Sequence, residues 1–64
     1  MVTINGERQD VAGKNLYEYL VSEGYNITQV VVERNFDIIS KDDLANITIQ
    51  DEDVIEVLRF VGGG

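Results

Sequence analysis

A chain of 64 residues with neither cysteine nor histidine has to hold itself together with one apolar core and well-formed turns. A domain this short buries a modest share of its unfolded surface, and no disulfide or Cys/His metal cluster can staple it. Apolar residues make up 44% of the chain, an ordinary share for a folded domain and too high for a disordered one. The same two absences narrow the chemistry. There is no thiol nucleophile and no side chain whose unperturbed pKa lies near neutrality. So small a domain also leaves little room for a concave pocket, so the chain is not expected to be an enzyme by itself.

Twelve acids against five bases give a formal net charge of −7. Such a field repels nucleic acid and anionic membranes and favours basic partner surfaces. No basic segment followed by an apolar stretch opens the chain, and no apolar run approaches membrane-spanning length. The expectation is therefore no signal peptide, no membrane span and a cytoplasmic address.

The hydrophobic pattern divides the chain into short elements. Met1 to Asn5 alternates polar and apolar and runs into Asn5-Gly6, a strong signal for a type I′ hairpin turn. The return strand is predicted over Glu7 to Val11. Lys14 to Glu23 reads as a helix, with Asn15 as N-cap, Glu18 three residues on, Leu16 and Leu20 one turn apart, and Gly24 as the left-handed cap. Val30-Val31-Val32 marks a strand over Gln29 to Arg34. Asn35-Phe36-Asp37 is a turn, Ile38 and Ile39 a brief return strand, and Leu44 and Ala45 lie in a short helical turn. Val54 to Phe60 is a further long strand. A helix packed on one face of a mixed sheet buries these stripes economically, which makes the fold class α+β with a β-grasp arrangement.

The chain closes on Gly62-Gly63-Gly64. Without Cβ atoms these residues are thin and conformationally free, and they add nothing to a core. They can thread a channel that any side chain would block, and from Val61 to Gly64 they reach roughly 13 Å when extended. The expected organisation is a domain over residues 1–61 and a flexible glycine tail over 62–64 that delivers a terminal carboxylate into another protein.

Three stretches resemble the sulfur carrier family of bacterial thiamin biosynthesis: Ile4-Asn5-Gly6-Glu7, Val32-Glu33-Arg34-Asn35, and Asp53 to Val61 running into the three glycines. The resemblance covers essentially the whole chain and implies a ubiquitin-like β-grasp. It departs at Asp51-Glu52-Asp53, where the family often has Asp-Gly-Asp, so the geometry of that tight turn is open. The resemblance implies that a ubiquitin-activating-like enzyme adenylates the Gly64 carboxylate with MgATP. A sulfur donor protein then converts it to a thiocarboxylate, and thiazole synthase takes the sulfur for the thiazole ring. ATP and Mg²⁺ would belong to the activating partner, so no cofactor is expected on the carrier, which should be monomeric when free. The absence of cysteine fits a carrier that holds sulfur only at its terminus.

Alternation along the last predicted strand proposes a docking surface. Ile55, Val57 and Arg59 share one face; Glu56, Leu58 and Phe60 share the other. A mid-strand carboxylate is expensive to bury unpaired, which puts Ile55 and Val57 under the helix and Leu58 and Phe60 on the open face. Val30 and Val32 point inward by the same logic, and Val31 joins Leu58 and Phe60 in an apolar patch near the tail. Arg59 either guides the tail toward an acidic groove or caps the strand edge. Asp51-Glu52-Asp53 lacks the spaced oxygen ligands of a calcium loop and reads as a solvated turn. Two rivals share the tail chemistry, a molybdopterin synthase small subunit and a ubiquitin-like protein modifier. A third reading is an interaction module with an inert tail.

Overall fold

The computed structural model describes residues 1–60, and Val61, Gly62, Gly63 and Gly64 lie outside the described residues. Five strands form one mixed sheet in the order β2-β1-β5-β3-β4. They are β1 (Val2–Ile4), β2 (Glu7–Gln9), β3 (Val30–Arg34), β4 (Asp37–Ile39) and β5 (Val54–Arg59). The single α-helix among the described residues, α1, spans Leu16–Ser22, and 3₁₀ turns cover Ile27–Gln29 and Lys41–Asn46.

Turn chemistry sets both hairpins. Asn5 and Gly6 adopt φ of 50° and 83°, the pair of positive values a type I′ turn needs to match the strand twist. β1 and β2 then pair antiparallel with Ile4 opposite Glu7. The return strand stops at Gln9, two residues short of the predicted Val11, whose side chain is nevertheless buried in the core. The β3–β4 hairpin turns on Asn35 and Phe36, with φ of 53° and 71°. A phenylalanine in the left-handed region is strained, because its Cβ crowds the following carbonyl.

Helix α1 is shorter than predicted because its caps act inside the predicted span. The Asn15 side chain accepts from the Glu18 backbone N–H at 3.0 Å, which satisfies one of the unpaired donors of the first turn. At the other end the Tyr25 N–H donates to the Leu20 carbonyl and the Gly24 N–H to that of Val21. Gly24 takes φ +86°, so the helix closes in a Schellman motif. Asn15 also donates through Nδ2 to the Ala45 carbonyl at 2.8 Å, tying the helix start to the 3₁₀ turn over Lys41–Asn46.

The core lies between the helix and one face of the sheet. Val2, Leu16, Leu20, Ile49 and Ile55 have no exposed surface, and Val30, Val32, Leu44 and Val57 pack with them. β5 sits in the middle, parallel to β1 and antiparallel to β3. It is the strand from which the chain runs on into residues 61–64.

Candidate functional site: the end of the central strand and its open face

β5 presents two chemically different faces. Ile55 and Val57 point into the core, whereas Glu56 and Leu58 point away from it. Cross-strand register extends the outer face over β3 and β4: Val31 stands opposite Leu58, Glu33 opposite Glu56, and Ile38 opposite Glu33. Leu58 is 50% exposed and Phe60 46% exposed, while Val31 is half-buried between its neighbours. The face is thus an apolar strip with the carboxylates of Glu33 and Glu56 set into it.

Two further apolar residues are exposed at the β3–β4 end without having been predicted there. Phe36 is 83% exposed and Ile38 is 71% exposed, the largest exposed apolar side chains at the β3–β4 end. Ile38 shares the open face with Glu33 through its pairing register. Reading Asn35-Phe36 as a two-residue I′ turn would have placed Ile38 there from the sequence. Phenylalanine at a positive-φ position hides that reading.

Arg59 belongs to the last β3–β5 pair, opposite Val30. Its guanidinium lies 4.8 Å from the centroid of the Tyr25 ring. The Tyr25 hydroxyl in turn accepts from Asn5 Nδ2 at 3.3 Å. Arg59 therefore sits against the helix-side loop at the point where β5 ends. On the other side of the strand, the Phe60 N–H donates to the Gln29 carbonyl at 3.2 Å, and Lys41 Nζ stands 5.8 Å from the Phe60 ring centroid. Lys41 was hidden in the polar run Ser40 to Asp43. The sulfur-carrying position predicted at Gly64, with Gly62 and Gly63, lies outside the described residues.

Asp53 corrects one expectation. It belongs to an acidic run read as a solvated turn, yet it is only 5% exposed. Its Oδ2 accepts from Arg34 Nε and from the Gln50 N–H, both at 2.9 Å, and its Oδ1 accepts from Asn35 Nδ2 at 3.0 Å. Burial alone pushes this carboxyl up, but the Gln50 N–H, Asn35, and the hydrogen bond and charge of Arg34 outweigh it and hold its pKa below the ordinary value. Asp53 is thus the clamp that ties the β3–β4 turn to the start of β5. Asp51 and Glu52 remain exposed and face the N-terminal ammonium group.

Among the described residues, no group of three or more Asp and Glu side chains is placed to hold a metal. No described helix is long and apolar enough to cross a membrane. The open groove lined by Gly13, Lys14, Asn15, Glu18, Tyr19 and Ser22 is occupied with structural work. Asn15 caps α1, the Tyr19 hydroxyl donates to Gln9 at 3.0 Å, and Ser22 Oγ donates to the Tyr19 carbonyl.

Comparison with known proteins adds what the geometry does not carry. The model of the ThiS family matches residues 2–64. The sulfur carrier protein ThiS of Bacillus subtilis is 38% identical over 68 residues, spanning all of both chains. Thiazole synthases from Paramagnetospirillum magneticum and Magnetococcus marinus are each 36% identical over 64 residues. That alignment takes in 98% of this chain but only 20% of theirs, so the chain spans about one fifth of the length of these two relatives. Among solved structures, the thiamine biosynthesis protein ThiS from Geobacter metallireducens superposes with a TM-score of 0.79 at 31% identity, covering 98% of this chain and 97% of that one. The mixed five-strand sheet with its one helix is therefore a ubiquitin-like β-grasp.

Proposed function

The chain belongs to the ThiS family, and from that premise we propose that it carries sulfur for the thiazole ring of thiamin on the terminal carboxylate of Gly64. A free carboxylate is a poor electrophile because it already bears the charge an attacking group would add. An adenylating partner solves this: a carboxylate oxygen attacks the α-phosphorus of ATP and pyrophosphate leaves. A sulfur donor at the oxidation level of sulfide then displaces AMP from the carbonyl carbon and leaves a thiocarboxylate. ATP and Mg²⁺ reside on the partner, and this chain acts as co-substrate rather than enzyme.

The observation that supports this reading most is the reach of the family match, which runs through residue 64 and so takes in all three glycines. Two thiazole synthases each contain, within a longer chain, a stretch similar to this domain, which supports thiazole synthase as the recipient of the sulfur. The open sheet face is the docking surface in this reading. Val31, Leu58 and Phe60, extended by Ile38 and Phe36, offer an apolar contact. Glu33 and Glu56 within it select a partner face that brings basic side chains around an apolar centre.

Intact mass spectrometry tests the proposal. The full chain is incubated with the activating enzyme, MgATP and a sulfur donor. The expected product has gained the mass of one oxygen-to-sulfur exchange at Gly64. An unchanged mass, in a system that modifies a known carrier, would overturn it.

A further inference from the structure

Two of the five basic residues end at the place where the chain leaves the sheet, and neither is neutralised there. Arg8 stands 3.4 Å from Glu52, and Arg34 stands 2.9 Å from Asp53. Among the described residues, Lys14, Lys41 and Arg59 have no carboxylate partner, although acids outnumber bases twelve to five. Of these, Lys41 and Arg59 lie over an aromatic ring, Arg59 over Tyr25 at 4.8 Å and Lys41 over Phe60 at 5.8 Å. Lys41 Nζ is held further by donating to the Thr28 carbonyl at 3.2 Å.

Strand direction explains why they meet. β4 and β5 both run antiparallel to β3, so their C-terminal ends share one edge of the sheet. Lys41 follows β4 by two residues, and Phe60 directly follows β5. Arg59 and Phe60 alternate across the strand, so the two cations flank it on opposite faces. An aromatic mount differs from an ion pair in one respect that matters here. It restrains a long side chain while leaving its charge uncancelled.

We propose that Lys41 and Arg59 form a cationic collar around the root of the glycine segment, and that this collar seats on carboxylates at the mouth of the activating enzyme's cleft. The inference rests on the carrier reading above and adds to it a pair of positioning residues. Four residues follow Phe60 and reach roughly 13 Å, so the two charges meet the rim of the cleft rather than the nucleotide phosphates inside it. The rest of the domain is strongly acidic. A local patch of the opposite sign therefore fixes orientation as well as attraction, because a rotated approach brings acid against acid.

The test measures pyrophosphate release by the activating enzyme with full-length wild type, Lys41→Glu, Arg59→Glu, the double reversal, and Lys41→Arg. Each single reversal should raise the KM for the carrier by about tenfold with kcat within about twofold, and the double reversal should raise it further. Lys41→Arg should stay within about twofold of wild type. Added salt should weaken wild type more than the double variant. Neutral Lys41→Gln and Arg59→Gln variants, checked by circular dichroism, supply the answer if a reversed variant fails to fold. An unchanged KM for the double variant overturns the collar. So does a change confined to the KM for ATP, which would place the cations at the phosphates. A wild-type chain that is never adenylated overturns the carrier reading, and this inference with it, before any variant is compared.

Discussion

The side-chain oxygen of Asn5 accepts a hydrogen bond from the Val57 backbone N–H at 2.8 Å. The parallel β1–β5 ladder runs through Thr3 N–H to the Asp53 carbonyl and Asn5 N–H to the Ile55 carbonyl. In a continuing strand the Val57 N–H would be taken by the next backbone carbonyl. Here β1 has already turned into the hairpin, and the Asn5 amide stands in for that carbonyl. One residue thus supplies a positive φ for the turn and one more rung for the central strand.

These two roles separate by substitution. Asn5→Gly keeps the turn and removes the rung, and is expected to cost about 1 kcal/mol, the usual value of one hydrogen bond in a partly buried site. Asn5→Asp keeps both an acceptor and a tolerance for positive φ and should cost less. Urea midpoints at unchanged slope measure the difference.

Asp53 gives the fold an acid limit. Its folded pKa lies below the ordinary 3.8, so between those two values the unfolded chain binds the proton and the folded one does not. The contribution is complete above about pH 4 and is lost as pH falls through the folded value. Arg34→Ala, which leaves the carboxylate buried with one partner fewer, should cost about 2–3 kcal/mol at neutral pH and flatten this acid dependence. Thermal melts of both proteins from neutral pH to pH 2 check it; parallel curves would remove Arg34 from the account.

Glu52 occupies φ +67°, a left-handed backbone conformation that glycine adopts without strain. Its carboxylate lies near the N-terminal ammonium and Arg8, but exposed pairs of this kind contribute little. Relief of the left-handed strain should dominate, so Glu52→Gly is expected to stabilise the domain by about 0.5–1 kcal/mol. A lower urea midpoint would mean that the ion pairs outweigh the backbone.

Phe36 combines a φ of +71° with 83% exposure, two unfavourable features for a residue that stabilises nothing visible in the isolated domain. Phe36→Gly should raise stability by about 1 kcal/mol. If Phe36 extends the docking face, the same change raises the KM for the carrier with a partner enzyme by several-fold. Gain in stability without loss of engagement would restrict docking to Val31, Leu58 and Phe60.

Under the proposed carrier role, Gly63→Ala and Gly64→Ala should leave the melting temperature unchanged and reduce adenylation by about 100-fold, because a methyl group would displace the reacting carbon in a channel shaped for bare backbone. Pyrophosphate release reads this directly. Normal turnover by both variants would remove the channel requirement.

Local signals carried much of the architecture. Asn5-Gly6 names its own turn, the alternation over Val54 to Phe60 separates Ile55 and Val57 from Leu58, and Asn15 caps α1 as its spacing to Glu18 suggests. What escaped depends on distant partners or on residues used against type. Asp53 looks like surface within its acidic run, because Arg34 and Asn35, which bury it, lie 19 and 18 positions away. Lys41 looks like one polar residue among several until β4 and β5 are seen to end together. Ile38 joins the open face only because Asn35 and Phe36 make a two-residue turn.

The position of β5 between β1 and β3 has a mechanical consequence. A pull on the backbone beyond Phe60 runs along the strand axis and loads the hydrogen bonds to both neighbours in shear, all at once rather than one after another. A strand at the margin would peel; this one is gripped from two sides. A partner that pulled on the chain beyond Phe60 would therefore still be holding a folded handle.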